Sequence, residues 1–287
     1  MTTQETIKGA DRLKKLDHWI DGRSVDSNHG YLEITNPMTG APGLLVAEGT
    51  HADVEDAVAA AHRAARGWRK FNAAERGRLM LKLAQAIRSS KDDLAAMERA
   101  DTGKPMAGAL AEIEGSAAYF EFYDSLVYLP TGDVLDVAPD QHVFTKREPY
   151  GIVGVITPWN LPLNQAARAI APALTAGNVV VAKPSEVTSQ STLALAELAA
   201  GAGLPAGVIN VVLGTGPEAG EAIVRHPQVR KVAFTGSVGV GQAIGRIAAD
   251  RHIADHDLAG LAALYHAPGA NLGNRVCRHG DDIGPLG

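Results

Sequence analysis

The sequence predicts an α/β protein built on an open parallel β-sheet with helices on both faces. Between residues 152 and 249, short apolar runs alternate with helical stretches, and the turns between them are short. This alternation is typical of βαβ units, whose parallel strands pair in one sheet. The runs read Val-Val-Val at 179–181 and Val-Val-Leu at 211–213, as expected for strands that are buried on both faces.

The spacing of apolar residues places each element of this region. In chain order it predicts strand 152–156, helix 165–174, strand 179–182, helix 189–200, strand 208–212, helix 218–226, strand 232–234 and helix 240–249.

The N-terminal half has a different pattern. Residues 18–50 alternate apolar runs with turn residues, which we interpret as short strands of an entry segment outside the core. Apolar residues at helical spacing predict helices at 52–67, 73–100 and 106–126, and strand-like runs at 127–129 and 142–145 predict a protruding hairpin. The predicted divisions are N-terminal strands and helices at 1–126, a hairpin of oligomerisation type at 127–148, dinucleotide-binding βαβ units at 149–250 and an atypical tail at 251–287.

Composition excludes several classes of protein. The chain of 287 residues is 46% hydrophobic, which is enough to bury a core, and its net charge of -5 provides no basic surface for nucleic acid. No run has the length of a signal-peptide core or of a membrane span, so we expect a cytoplasmic protein that does not bind a membrane. One cysteine, Cys277, rules out an internal disulfide and fits a reducing compartment.

Polar residues follow the predicted strands at the edge where ligands of open α/β sheets bind. Asn160 follows strand 152–156, and Lys183 and Glu186 follow the next strand, so we expect them to share one crevice. The Gly-rich turn at 234–241 opens a helix whose N-terminal amides suit a pyrophosphate, although its spacing is not Gly-x-Gly-x-x-Gly. From these residues alone, each feature has an alternative explanation. Asn160 could be a turn residue that caps a helix, Lys183 and Glu186 could be solvated charges, and the Gly-rich segment could be a simple tight turn between a strand and a helix.

A larger set of motifs, in this order, resembles the aldehyde dehydrogenase superfamily from about residue 15 to about residue 250. The motifs are Asn36-Pro37-x-Thr39-Gly40, Asp101-Thr102-Gly103-Lys104-Pro105, Arg147-Glu148-Pro149-x-Gly151, Thr157-Pro158-Trp159-Asn160, Lys183-Pro184-Ser185-Glu186, Gly203-Leu204-Pro205-x-Gly207, Gly214-Thr215-Gly216 and Phe234-Thr235-Gly236-Ser237. The resemblance implies a Rossmann-like fold, oxidation of an aldehyde to a carboxylic acid with NAD or NADP, and a family-typical homo-oligomer.

The resemblance also implies roles for individual residues. Asn160 would be catalytic, its side-chain NH2 donating to the oxyanion that forms when a cysteine thiolate attacks the aldehyde. Lys183 and Glu186 would contact the adenosine ribose. The residues lining the nicotinamide side would be Ile156, Thr157, Pro158 and Trp159, and those along the adenosine and diphosphate would be Gly216, Gly236, Ser237 and Gly241.

The family's later motifs have no counterpart in this sequence. A Leu-Glu-Leu-Gly-Gly-Lys segment and a Gly-Gln-x-Cys segment are missing, and no glutamate follows Glu221. In the sequence, Cys277 follows the Gly-rich turn after fewer residues than the family's nucleophile does. The arginines on either side of Cys277 favour a thiolate. Because a catalytic base and a substrate pocket are missing, we predict that Cys277 is not a working nucleophile. The four histidines of the tail (252, 256, 266 and 279) lack metal-ligand spacing, and we predict no metal site.

These departures lead to hypotheses about the whole chain. A frameshifted or truncated gene product would explain why the family motifs stop near residue 250. We expect such a chain, which would end before the catalytic lobe, to be inactive alone. The alternative is a non-catalytic dinucleotide-binding or interaction module. A third hypothesis, an enzyme that transfers its acyl group to coenzyme A, would use Asn160 and need no hydrolytic glutamate.

Overall fold

The computed structural model describes residues 13–251, and its centre is a six-stranded sheet in the order β11-β8-β9-β10-β2-β3. The strands are β1 Lys14–Leu16, β2 His18–Ile20, β3 Arg23–Val25, β4 Tyr31–Thr35, β5 Pro42–Ala47, β6 Val134–Ala138, β7 Gln141–Phe144, β8 Ile152–Ile156, β9 Val179–Lys183, β10 Ile209–Val211 and β11 Val229–Phe234. Strands β8 to β11 pair in parallel, which confirms the predicted open parallel sheet.

Helices cover both faces of this sheet. They are α1 His51–Trp68, α2 Ala73–Ser89, α3 Lys91–Thr102, α4 Met106–Ser125, α5 Pro162–Thr175, α6 Gln190–Gly201, α7 Glu221–Arg225 and α8 Val238–Asp250, with a 3₁₀ turn at Glu186–Thr188 and a π turn at Gly216–Gly220. Helices α5 and α6 pack against the sheet with α2 to α4 outside them, while α1 and α7 lie together against its other side. All five residues of β8 and residues 179–182 of β9 are buried, as the apolar runs predict, and Lys183 at the end of β9 is buried as well.

The entry segment belongs partly to the central sheet, which corrects the prediction that it lies outside the core. Strand β2 pairs antiparallel with β10, Trp19 opposite Val211, and β3 pairs with β2. The remaining N-terminal strands form a small separate sheet in the order β1-β5-β4. Pairing between residues so far apart in the chain leaves no mark in the local pattern of either strand.

Two predicted elements differ from the structure for local reasons. The helix predicted at 73–100 is two helices that meet at Ser90, whose backbone (φ -102°, ψ 17°) departs from helical geometry. Serine competes for backbone hydrogen bonds and favours such breaks. Residues 127–129 form no strand, because the Val127 and Leu129 amides bond back three residues and prolong the end of α4 as turns. The hairpin itself is formed by β6 and β7.

Gly49 allows the chain entering α1 to lie directly against the segment after β10. A Cβ at this position would stand 2.0 Å from the Leu213 carbonyl oxygen and 2.9 Å from Cγ1 of Val212. We therefore expect Gly49→Ala to force a backbone shift and to lower the free energy of unfolding by about 1–3 kcal/mol, the usual cost of overpacking. Urea denaturation followed by circular dichroism measures this change.

Gly67→Ala is the matched control. Gly67 is an exposed residue of α1, and a Cβ there would meet no atom within 4 Å. Alanine restricts the unfolded chain and favours the helix, so this variant should gain up to about 1 kcal/mol. If both alanine variants unfolded at the same urea concentration as the wild type, the close approach at Gly49 would be refuted.

Candidate functional site

Three neighbouring strands end in register at one edge of the central sheet. Ile156 at the end of β8 lies opposite Lys183 of β9 on one side and opposite Phe234 of β11 on the other. The next residues extend the pairing, since the Thr157 amide donates to the Lys183 carbonyl (3.2 Å) and the Thr235 amide to the Ile156 carbonyl (3.1 Å). The turns that carry the predicted site residues therefore begin side by side.

The strand order makes this edge the place where an open α/β sheet binds ligands. From β8 the chain adds β9 and β10 on one side and then returns to place β11 on the other side. The reversal creates a crevice between the turn after β8 and the turn after β11, beyond the carboxyl ends of the strands. Asn160 follows β8 and Ser237 follows β11, so one lies on each side of this crevice.

The turn after β8 passes from the core to the surface within four residues. Ile156 and Thr157 are buried, Pro158 is half-buried, and Trp159 and Asn160 are exposed. Pro162 then starts α5 at a position where the missing amide hydrogen costs nothing. The N-cap of α5 is Leu161, so the alternative of Asn160 as the helix cap is wrong.

Two residues that the sequence analysis assigned no role hold this turn in place. Lys104 Nζ donates to the backbone carbonyl of Asn160 (3.0 Å) and to the Glu98 carboxylate (3.1 Å). The other oxygen of Glu98 accepts from the Leu163 amide (2.8 Å) and from the Ser191 hydroxyl (3.1 Å). Burial raises the pKa of Glu98, while the Leu163 amide and Lys104 oppose that rise.

A sequence signal for this contact existed in part. Lys104 stands in the Asp-Thr-Gly-Lys-Pro motif, which belongs to the family resemblance but implies no role for the lysine. Glu98 follows Leu94 at helical spacing on the buried side of α3, where a charged residue is unusual. Such a position indicates a carboxylate with dedicated partners, but not which partners they are.

Lys183 and Glu186 come together at the end of β9 as a salt bridge. Lys183 Nζ lies 3.2 Å from Glu186 Oε2, and the lysine side chain is 4% exposed while that of Glu186 is 34% exposed. Burial lowers the pKa of Lys183, and Glu186 opposes that shift. The pair is therefore not simply solvated: an ammonium and a carboxylate are fixed at the sheet edge, where hydroxyl groups of a ligand can bond to both.

The turn after β11 leads directly into a helix N-terminus. Ser237 caps α8 by accepting from the Val240 amide (3.4 Å), and the Gly241 amide closes the first turn on the Ser237 carbonyl (3.0 Å). The Phe234 ring covers Gly236, since a Cβ there would stand 2.5 Å from the ring. Residues 235–240 are exposed, so the first amides of this helix, which have no partner within the helix, are accessible to a ligand.

Gly216 lies at the same edge but farther from Asn160. It begins the π turn after β10, and β9 separates β10 from β8. The far end of this turn approaches the salt bridge, because a Cβ on Gly220 would lie 3.8 Å from Lys183 Cδ. Gly216 is thus grouped with Lys183 and Glu186 rather than with the turn of Asn160.

A buried histidine fixes the start of this Gly216 segment. His18 of β2 is fully buried, and its Nδ1 accepts from the Leu213 amide (3.1 Å). This bond requires an unprotonated Nδ1. Burial lowers the pKa of His18, although Asp53, 3.8 Å from Nε2, and Asp17 act in the opposite direction.

We expect His18 to weaken the fold as the solution becomes acidic. The lowered pKa means that the unfolded chain binds the proton more readily than the folded chain below about pH 6.5. The free energy of unfolding should therefore fall between about pH 7 and about pH 5, with at most about 1.4 kcal/mol per pH unit from this group. His18→Asn keeps an acceptor but does not titrate, so denaturation across this range should show a smaller fall; parallel curves would refute the assignment.

Sequence comparison identifies the family. The sequence profile described as "Aldehyde dehydrogenase family" matches residues 24–275, most of the chain. The chain belongs to the aldehyde dehydrogenase family. It is 40% identical over 240 residues to the mitochondrial succinate-semialdehyde dehydrogenase of Oryza sativa subsp. japonica and 42% identical over 231 residues to an aldehyde dehydrogenase of Enchytraeus buchholzi. These alignments cover 83% and 79% of the chain.

The fold agrees with the family. The crystal structure of the NAD-dependent aldehyde dehydrogenase from Sinorhizobium meliloti superposes with a TM-score of 0.80 and 39% identity, covering 83% of this chain and 48% of that one. The chain spans just under half the length of the rice and Enchytraeus relatives, 45% and 46%.

The family match of this aldehyde dehydrogenase chain extends beyond the residues that the structure describes. The family match runs past residue 250, where the recognisable motifs stop, to residue 275. Cys277, the four tail histidines and all of the predicted tail 251–287 except its first residue lie outside the described residues. Within residues 13–251, no helix is long and apolar enough to cross a membrane, and no cluster of three or more His, Cys, Asp or Glu side chains is arranged to hold a metal ion.

Proposed function

We propose that this chain provides the NAD-binding half and the oxyanion donor of an enzyme that oxidises an aldehyde to a carboxylic acid. The observation that carries the proposal is the register of β11, β8 and β9, whose ends start the turns of Ser237, Asn160 and Lys183 side by side. These turns offer a helix N-terminus, an exposed amide and an ammonium–carboxylate pair to one crevice.

The residues at this edge suit a dinucleotide. The amides at the start of α8 complement a diphosphate, and the pair formed by Lys183 and Glu186 complements ribose hydroxyls. On the other side of the crevice, the Thr157 hydroxyl is buried without a hydrogen-bond partner among residues 13–251, which leaves it available to a ligand beside the exposed Trp159. We assign the nicotinamide side to Ile156–Trp159, and the adenosine and diphosphate to Gly216, Gly236, Ser237 and Gly241.

Asn160 would stabilise the charge that develops on the substrate. Addition of a cysteine thiolate to the aldehyde carbon turns the carbonyl oxygen into an oxyanion, and the Asn160 NH2 donates to that oxygen. When bound, NAD would supply the acceptor for the hydride that leaves the substrate carbon, and this oxidation converts the thiohemiacetal into a thioester of the cysteine. Water then attacks the thioester carbon, which releases the acid and regenerates the thiol. Such a donor is worth about 3–4 kcal/mol of transition-state stabilisation when it is preorganised.

Three finer assignments concern the dinucleotide, the subunit contacts and the location of the protein. Glu186 favours NAD over NADP, because a carboxylate at the ribose repels a 2′-phosphate. Hairpin β6–β7 presents exposed Val134 and Phe144 and is our candidate for contacts between subunits of a homo-oligomer. A cytoplasmic location remains the prediction from the sequence; the rice relative is described as mitochondrial.

Calorimetric titration of the purified protein with NAD tests the proposal, followed by measurement of aldehyde-dependent NADH formation. Absence of NAD binding by a folded protein would overturn it. NAD binding without NADH formation would favour the non-catalytic binding module. Turnover that Cys277→Ser abolishes would identify the nucleophile within this chain and refute the predicted inactivity.

A further inference from the structure

Asn160 is bracketed by two hydrogen bonds from one buried ion pair. The backbone carbonyl of Asn160 accepts a hydrogen bond from Lys104 Nζ (3.0 Å). Three residues later, the Leu163 amide donates to Glu98 (2.8 Å). Lys104 and Glu98 are in turn bonded to each other (3.1 Å). The four residues from Asn160 to Leu163 are therefore held at both ends by groups from α3 and the loop that follows it.

The chain does not provide this support locally. The N-cap residue of α5 is Leu161, which has no side-chain acceptor for the first amides of the helix. Glu98 supplies the missing acceptor from another helix, and a carboxylate at a helix N-terminus is also favoured by the helix dipole. A break in this contact would leave the Leu163 amide unpaired in a buried position and free the start of α5.

The arrangement costs stability unless every charge has a partner. The Glu98 side chain is fully buried and that of Lys104 is only 12% exposed. Glu98 has three donors, and Lys104 bonds to Glu112 as well as to Glu98 and the Asn160 carbonyl. Breaking such a pair by removing one partner is strongly destabilising, while the intact pair resists small displacements.

We propose that Lys104 and Glu98 are positioning residues that fix the backbone of Asn160, so that its side-chain amide is preorganised toward an oxyanion. We call the contacts of Lys104 and Glu98 with the segment from Asn160 to Leu163 the clamp. The inference rests on the proposed function for its catalytic meaning, but the clamp itself is a property of this chain. Neither residue contacts the reacting atoms. Lys104 acts through the Asn160 carbonyl, and Glu98 acts through Lys104 and the Leu163 amide.

The consequence for catalysis follows from the sensitivity of oxyanion stabilisation to geometry. A donor displaced by about 1 Å can lose about 100-fold in rate. A loosened clamp should therefore lower kcat for aldehyde oxidation by up to about 100-fold and change NAD affinity much less, because the ribose and diphosphate residues lie on other turns and only the nicotinamide residues share the turn of Asn160. If Lys104 served stability alone, its replacement would lower the melting temperature without lowering kcat more than NAD affinity.

The decisive measurement is the side-chain amide signal of Asn160 in ¹⁵N NMR spectra of the full chain, assigned by its loss in Asn160→Asp. We expect Lys104→Met to shift and broaden this signal, and Lys104→Arg, which retains a cation, to give an intermediate change. Lys91→Met is the matched control, because Lys91 begins α3, the helix that carries Glu98, and bonds to Glu114 (3.1 Å) away from Asn160. Only the position 104 variants should move the Asn160 signal.

An unchanged Asn160 signal in folded Lys104→Met would overturn the proposal. If this variant does not fold, the comparison of Lys104→Arg with Lys91→Arg decides: equal spectra at Asn160 overturn the clamp, and a shift confined to Lys104→Arg supports it. The signal is observed without NAD or aldehyde. A failure of the proposed function therefore appears as absent NAD binding, and a failure of the clamp appears as an unmoved amide signal.

Discussion

Replacing Trp68 with alanine is expected to lower the free energy of unfolding by about 3–5 kcal/mol. Trp68 is the last residue of α1 and is fully buried in the core. Its ring lies 5.2 Å from that of Phe71, centroid to centroid, in a tilted arrangement. Alanine would remove both this contact and the packing that anchors the end of α1, leaving a cavity. Urea denaturation at constant pH measures the effect.

Two further variants separate ring volume from other effects. Trp68→Phe retains an aromatic ring and removes an indole N–H that has no hydrogen-bond partner among residues 13–251, so it should cost much less than alanine. Trp159→Ala removes the same side chain from a residue that is 60% exposed, and we expect a change within about 0.5 kcal/mol. Equal losses at Trp68 and Trp159 would contradict the burial on which the prediction rests.

The parallel part of the sheet was predictable because each strand carries its own signal. Runs such as residues 179–182 are apolar throughout, and only a strand with helices on both faces buries every residue of such a run. The order of these strands in the chain then places their carboxyl ends at one edge. For this reason the sequence predicts Asn160, Lys183 and Ser237 near one crevice.

Long-range contacts account for what the sequence did not reveal. The pairing of β2 with β10 joins residues nearly two hundred positions apart, and neither strand carries a pattern that names its partner. His18 has the local pattern of an ordinary polar residue on a short strand, and the position of Glu98 on α3 does not identify its partners. Their roles arise because the fold buries them against the Leu213 and Leu163 amides, which only the tertiary structure brings close.

The second large effect concerns NAD binding and rests on the proposed function. We expect Lys183→Met to raise the Kd for NAD by about tenfold to about 150-fold, because a hydrogen bond from a charged group contributes about 1.5–3 kcal/mol. Methionine has a length similar to that of lysine and fills the buried space, since the Lys183 side chain is only 4% exposed. Calorimetric titration gives the Kd, and a thermal melt verifies that the variant is folded.

Lys146→Met is the matched control for this substitution. Lys146 also pairs with a nearby glutamate, Glu148 at 3.5 Å, but both side chains are about three quarters exposed and lie beyond hairpin β6–β7. Surface pairs of this kind contribute little, so neither stability nor NAD affinity should change measurably. If folded Lys183→Met bound NAD as tightly as this control, the assignment of Lys183 to the ribose would be refuted.

Glu186→Gln addresses the choice between NAD and NADP at the same position. Glutamine keeps an acceptor for a ribose hydroxyl and removes the negative charge that would repel a 2′-phosphate. The affinity for NADP should therefore rise relative to that for NAD, while Lys183→Met should weaken the binding of both. The two substitutions affect one salt bridge in opposite electrostatic senses. Their different effects on the NADP-to-NAD affinity ratio would distinguish recognition by Glu186 from a general loosening of the turn after β9.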